Sequence, residues 1–204
     1  MSNLYNSDYY NNGKKLGISG YENYRWLPEL TIPMAKRIIE FLNLTPESIV
    51  LDYGCAKGYL VRALRELKIN AYGYDISEYC IKNSDLDIKN YLSMDLDLSK
   101  KYDLVISKDV LEHLTLEDVE QLLDNLHKIT NTLFFIIPLG DGLNYNIPEY
   151  NQDITHILKL SKHEWEYIFK KHDWNISFSE YHINGLKDNY KNYLTGNGFF
   201  ILRK

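Results

Sequence analysis

The stretch Ile49-Val-Leu-Asp-Tyr-Gly-Cys-Ala-Lys-Gly58 constrains the fold of this chain more than any other. An apolar run from Ser48 to Leu51 ends in Asp52, a glycine-punctuated turn follows, and Tyr59 to Leu67 reads as a helix. Glycine lets a backbone approach a ligand with no Cβ in the way. A turn that opens a helix presents free amide N–H groups at the helix N-terminus. The segment therefore predicts a nucleotide-cofactor pocket at the C-terminal end of a parallel strand, where open α/β sheets take their ligands.

The rest of the chain supports that architecture. Leu30, Met34, Ile38, Phe41 and Leu42 share a helical face within Pro28 to Leu42, with Thr31 and Pro33 as the expected start. Strands are then expected at about 48 to 53, Asn70 to Asp75, Ile88 to Leu92, Tyr102 to Ser107 and Thr132 to Ile137, with helical segments between most of them. The last of these runs is almost wholly apolar, as in a strand buried on both faces. Capping-box patterns at Thr115–Asp118 and Ser161–Glu164 announce two later helices. Trp174 to Ile183 and Gly198 to Leu202 read as closing strands. Strand and helix alternate, which implies a mostly parallel sheet with helices on both faces, an α/β fold. Residues 139 to 160 form a long loop, a length usually functional or disordered.

With 204 residues, one domain over 28–204 is expected, preceded by a 1–27 segment rich in Asn and Tyr. That segment reads as a polar tail, with Tyr21 to Trp26 equally readable as an aromatic lid. A net charge of −5 argues against a broad nucleic-acid surface, which needs clustered Lys and Arg. No apolar run reaches membrane-spanning length. Two cysteines and no signal-like start fit a reducing cytoplasm. No His/Cys cluster has metal-ligand spacing, so no metal is expected.

Asp52, Asp75 and Asp95 sit at or near strand ends, roughly one βα unit apart. Neighbouring strands would bring them to one sheet edge. A carboxylate at Asp75 suits a ribose diol because it offers two acceptor oxygens. Asp95 could accept from an adenine amino group, and Asp52 could favour a cationic part of the ligand. The turn is Gly-x-x-x-Gly, which departs from the pyrophosphate-binding Gly-x-Gly-x-x-Gly pattern and weakens a nicotinamide or flavin reading.

These motifs together resemble the class I S-adenosylmethionine-dependent methyltransferases, in their small-molecule branch. Asp52 to Gly58 resembles the family's Asp-x-Gly-Cys-Gly-x-Gly loop, with Ala56 at the middle glycine. Gly73 to Ser77 resembles its ribose-binding motif, Ser93 to Asp95 its adenine-contacting segment, and Tyr102 to Leu114 its strand-four motif. The resemblance implies a Rossmann-like seven-stranded sheet of order 3-2-1-4-5-7-6 with strand seven antiparallel, and S-adenosylmethionine as cofactor. It also implies cofactor contacts from Asp52, Gly54, Cys55, Ala56, Gly58, Asp75, Ile76, Met94, Asp95, Ser107 and Lys108. Tyr24 and Arg25 would close from the lid, Arg suiting the cofactor carboxylate.

On the acceptor side, a hydroxyl must lose a proton, and a neutral His or a carboxylate can take it. His156, in the long loop, is the leading candidate for general base, with Asp153 to orient it and His113 as the rival. Asp153-x-Thr-His156 resembles a pattern in surface-polysaccharide methyltransferases, which implies a sugar or glycan-precursor substrate, such as a sugar nucleotide. Lys108 and Asp109 are expected at the strand-four tip, and residues 184 to 197 near the substrate or in an exposed hairpin. His127, His163, His172 and His182 read as surface or packing residues. Methylation of tRNA or protein, or service as a non-catalytic cofactor-binding partner subunit, are the alternatives; the oligomeric state is open.

Overall fold

The computed structural model describes residues 4–204. Seven strands form one sheet: β1 Ile49–Tyr53, β2 Asn70–Tyr74, β3 Leu92–Ser93, β4 Leu104–Lys108, β5 Thr132–Pro138, β6 Asn175–Glu180 and β7 Asn197–Arg203. Their order is β3-β2-β1-β4-β5-β7-β6. The first five run parallel, and β7 lies antiparallel to both β5 and β6. The α-helices are α1 Ser7–Asn11, α2 Gly13–Leu16, α3 Pro28–Leu42, α4 Tyr59–Glu66, α5 Glu78–Lys82, α6 Leu116–Ile129 and α7 Lys162–Lys171. None of the described helices is long and apolar enough to cross a membrane.

The period-2 alternation of strand side chains divides the core into two layers. On one face, Leu133, Phe135 and Ile137 of β5 and Phe200 and Leu202 of β7 pack with Val119, Leu122, Leu123 and Leu126 of α6 and Trp165, Ile168 and Phe169 of α7. On the other, Phe134, Ile136, Phe199 and Ile201 pack with Ala35 and Ile38 of α3 and Val61, Ala63 and Leu64 of α4. Both expected capping boxes form, at Thr115/Asp118 and Ser161/Glu164. Such a cap contributes about 1 kcal/mol.

Three expectations are corrected. Helix α3 starts at Pro28, which takes the first helical position; Pro33 lies inside the helix. Proline suits that first position because its missing N–H would have no intrahelical partner there. Strand β3 is two residues long and follows a 3₁₀ turn at Lys89–Tyr91. Residues 7–11 and 13–16 are helical instead of tail-like, and Tyr9 and Tyr10 are buried against Cys80 of α5.

Candidate functional site

Strands β1, β2 and β4 end side by side, with Asp52 opposite Gly73 and Ile106. Above these ends lies a cavity of about 490 Å³. Its floor comes from Asp52, the 54–56 turn, Asp75 and Ile76, and its far wall from Lys108 to Val110 and His113. Tyr5, Tyr9, Tyr10, Tyr21, Tyr24 and Arg25 form the roof. The roof is an aromatic cluster, with Tyr9–Tyr10, Tyr21–Tyr24 and Tyr10–Tyr24 ring centroids 5.0, 5.1 and 5.3 Å apart.

Gly54 and Gly58 adopt φ of +82° and +76°, and a Cβ at either would meet Val110 or Leu92 side chains closer than 3 Å. Those glycines permit the turn. Its amides, however, are already engaged. Gly54 and Cys55 N–H donate to the Tyr74 carbonyl, Gly58 N–H to the Cys55 carbonyl, and Ala56 N–H to Asp75 Oδ2 at 2.7 Å. The amides of 54, 55, 56 and 58 thus hold β2, the turn itself and the Asp75 carboxylate. Asp75 Oδ1 accepts from Ser77 N–H, also at 2.7 Å. Each oxygen keeps a second lone pair, and the carboxylate lines the cavity in a fixed orientation. This is the arrangement a vicinal diol requires.

Asp52 is buried, and burial pushes its carboxyl up to about 7, against the pull of the Lys108 ammonium. Such a group gains from a cationic ligand. Lys108 and Lys187 both pair with Asp109, which links β4 to the β6–β7 connection. Cys55 lines the cavity as a buried thiol whose pKa burial raises well above its ordinary value. Arg25 and Tyr24 border the cavity, and the Tyr24 carbonyl accepts from Lys57 Nζ.

Other expected contacts lie off the cavity wall. Met94 and Asp95 are exposed beyond the short β3, and Asp95 N–H donates to Ser93 Oγ. Ser107 is buried and ties β4 to β1 through the Tyr53 carbonyl. Gly58 caps α4 behind the turn.

The acceptor-side residues converge, but not as the spacing suggested. His113, at the end of a 3₁₀ turn over Leu111–His113, is on the wall. Its Nδ1 lies 2.8 Å from Thr155 Oγ1, and that hydroxyl donates to Asp153 Oδ1 at 2.6 Å. Asp153 Oδ2 accepts from the Tyr9 hydroxyl at 2.7 Å. His156 and Asp153 therefore stand behind His113 instead of facing the cavity. The two imidazole centroids are 4.5 Å apart. Burial, reinforced by His156, lowers His113 to about 4, and burial also lowers His156. Both rings are neutral at pH 7.

Sequence reasoning missed Tyr9, Thr155 as the link to His113, Lys187 and Glu112. Lys187 and Tyr9 come from segments whose polarity suggested exposed loop and tail. Glu112 faces the interior because its 3₁₀ turn rotates it there, and its carbonyl accepts from the Ile157 and Leu158 amides.

A methyltransferase-domain family matches residues 29–191. No curated protein sequence matches the chain significantly. Among solved structures, a SAM-dependent methyltransferase from Archaeoglobus fulgidus is similar, with 19% identity over 83% of this chain and 92% of that one and a TM-score of 0.61. Magnesium protoporphyrin IX methyltransferase from Synechocystis PCC 6803, with bound SAH, gives 18% identity over 97% of both chains and 0.63. The 1,6-didemethyltoxoflavin-N1-methyltransferase of Burkholderia thailandensis gives 12% identity over 84% of this chain and 76% of that one, and 0.60. The family match spans most of the sequence and the sheet order agrees with it, so this chain belongs to the methyltransferase-domain family as a class I, S-adenosylmethionine-dependent methyltransferase.

Proposed function

We propose that the chain moves the methyl group of S-adenosylmethionine to a hydroxyl of a small molecule, a sugar or glycan precursor, in the cytoplasm. The observation that carries this reading is the chain His113–Thr155–Asp153 at the cavity wall. It presents a neutral imidazole toward the acceptor space and backs it with a carboxylate that steadies the ring if it takes a proton. An amine acceptor would need no such base; a hydroxyl does. The Asp153-x-Thr-His156 pattern supports the sugar assignment, and two free, buried cysteines suit a reducing compartment.

The cofactor supplies the electrophilic methyl group. The residues of this chain would hold it as follows: Asp75 to the ribose hydroxyls, Asp52 toward its cationic portion, and the Tyr24–Arg25 segment over its amino-acid end. Alignment of acceptor and methyl then accounts for much of the acceleration.

The test is methyl transfer from labelled S-adenosylmethionine to a panel of sugar nucleotides and glycosides. On the substrate found, His113→Ala is expected to lower kcat by roughly 10²–10⁴-fold with cofactor affinity kept. Unchanged turnover in His113→Ala and Asp153→Ala would remove both from the reaction.

A further inference from the structure

Behind the cavity wall, Glu112 of the 3₁₀ turn and His156 of the long loop meet His113. One ligand atom from each lies within 4.8 Å of the others. His156 Nε2 is 3.9 Å from Glu112 Oε1 and 3.9 Å from Asp153 Oδ2. Glu112 is fully buried, and among the described residues neither of its carboxylate oxygens has a hydrogen-bond partner. A buried carboxyl without a partner is unfavourable when neutral and much more so when charged, so such groups are normally paired or bound to metal.

We propose that Glu112, His113 and His156 form a site for a divalent first-row transition-metal ion. Two imidazoles and one carboxylate are a donor set suited to zinc, manganese, iron or cobalt. Tetrahedral ligands ~2.1 Å from one ion lie ~3.4 Å apart, so the 3.9 Å separation closes by about half an ångström on binding and the widest, within 4.8 Å, by about 1.4 Å at most, a range that side-chain rotation covers.

The surroundings complete the argument. His156 Nδ1 lies 2.8 Å from the Tyr150 carbonyl, which can only accept, so Nδ1 carries the hydrogen and Nε2 keeps its lone pair. His113 Nδ1 is likewise committed to Thr155, whose own hydroxyl hydrogen goes to Asp153. Metal-ligating imidazoles are held in this way, by a carbonyl or carboxylate on the far nitrogen. The Ile157 and Leu158 amides donate to the Glu112 carbonyl at 2.8 and 3.0 Å, which clamps the loop carrying His156 to the turn carrying the other two ligands. The charges facing the cluster are Asp109, Asp153, Lys108 and Lys187. With Glu112 ionised, three carboxylates face two ammonium groups, and a cation offsets the excess.

Metal binding is tested apart from the proposed reaction, because His113 has one free ring nitrogen and the ion would take the one proposed as base. Only the ion's effect rests on that reading: beside His113 it would acidify an acceptor hydroxyl, with His113 then a ligand instead of a base.

The full-length protein, stripped with chelator, is dialysed against Zn²⁺, Mn²⁺ or Mg²⁺ without any substrate, and bound metal is counted by elemental analysis. Co²⁺ uptake is followed by its visible absorption. One equivalent of Zn²⁺ or Co²⁺ per chain is expected, retained in His172→Ala, which removes the surface cluster of His172, Glu120 and Asp124. Affinity should fall at least about tenfold in His156→Gln and Glu112→Gln. Substoichiometric uptake, or equal uptake by these variants, would overturn the site. If the variants do not fold, the wild-type cobalt spectrum decides, a low-coordinate nitrogen-ligand band supporting the site and an aqua-ion spectrum excluding it. Stoichiometric metal with no methyl transfer would leave the site standing and count against the acceptor assignment.

Discussion

Asp75 is held by two backbone amides before any ligand arrives. Both its oxygens accept from N–H groups, so an amide in its place would turn a donor toward a donor on one side. Asp75→Asn and Asp75→Ala are each expected to weaken S-adenosylmethionine binding by about 10-fold or more, the cost of one to two charge-assisted hydrogen bonds. Calorimetric titration measures this, and wild-type affinity in both variants would sink the ribose assignment. Asp52 behaves differently, because burial lifts its carboxyl to about 7. Its folded pKa lies above the unfolded value of about 3.9. Between those values the folded chain binds a proton that the unfolded chain lacks. The contribution to stability is therefore full below about pH 4 and is lost as pH rises through about 7. A cationic ligand prefers the ionised form, so cofactor affinity should rise from about pH 6 to pH 8, with the rise flattened in Asp52→Asn. A slope that persists in that variant would assign it to another group. Both aspartates were legible because strand ends in a βα repeat are countable from sequence. Glu112 was not, since only the tertiary turn decides that it points inward.

At the scale of elements, the N-terminal helices α1 and α2 show where sequence reading ran out. They are five and four residues long, too short for a helical period to emerge from the pattern. Their polar residues face solvent, while Tyr9 and Tyr10 fill the roof. What holds them is a set of long-range bonds: Tyr9 hydroxyl to Asp153, Ser77 Oγ to the Tyr5 carbonyl, and Ile154 N–H to the Ile18 carbonyl. None of these pairs has a local signature. Tyr9→Phe keeps the ring and deletes one buried donor to a carboxylate. It should cost about 1–3 kcal/mol, a fall in Tm of roughly 2–12 °C for a chain of this size. Thermal unfolding followed by circular dichroism checks it, and an unchanged Tm would mean Asp153 finds another partner. Helices α6 and α7 were legible for the opposite reason: they are long, amphipathic and opened by capping boxes. Strand β3 fell between these cases. Only Leu92 and Ser93 pair with β2, so the expected 88–92 run became mostly a 3₁₀ turn.

For the whole molecule, the alternating strand pattern revealed the layers, while the strand order rested on family resemblance, because periodicity does not say which strands are neighbours. The order matters because it sets the C-terminal ends of β1, β2 and β4 under a roof made by a separate part of the chain. A ligand in that cavity touches both the sheet edge and the N-terminal segment, and so couples two parts that meet through few bonds. Cofactor at 100 times its Kd stabilises the folded state by about 2.7 kcal/mol. For a domain of this size that is a rise in Tm of roughly 5–11 °C. The same ligand should slow amide exchange in α1 and α2 as well as at the 54–58 turn, since opening the roof would then cost the binding energy. Hydrogen exchange with and without saturating S-adenosylmethionine separates the cases. Protection in both regions is the expected result. Protection at the turn alone would mean that the aromatic segment covers the cavity without gripping what is inside, and would move the cofactor's amino-acid end away from Tyr24 and Arg25.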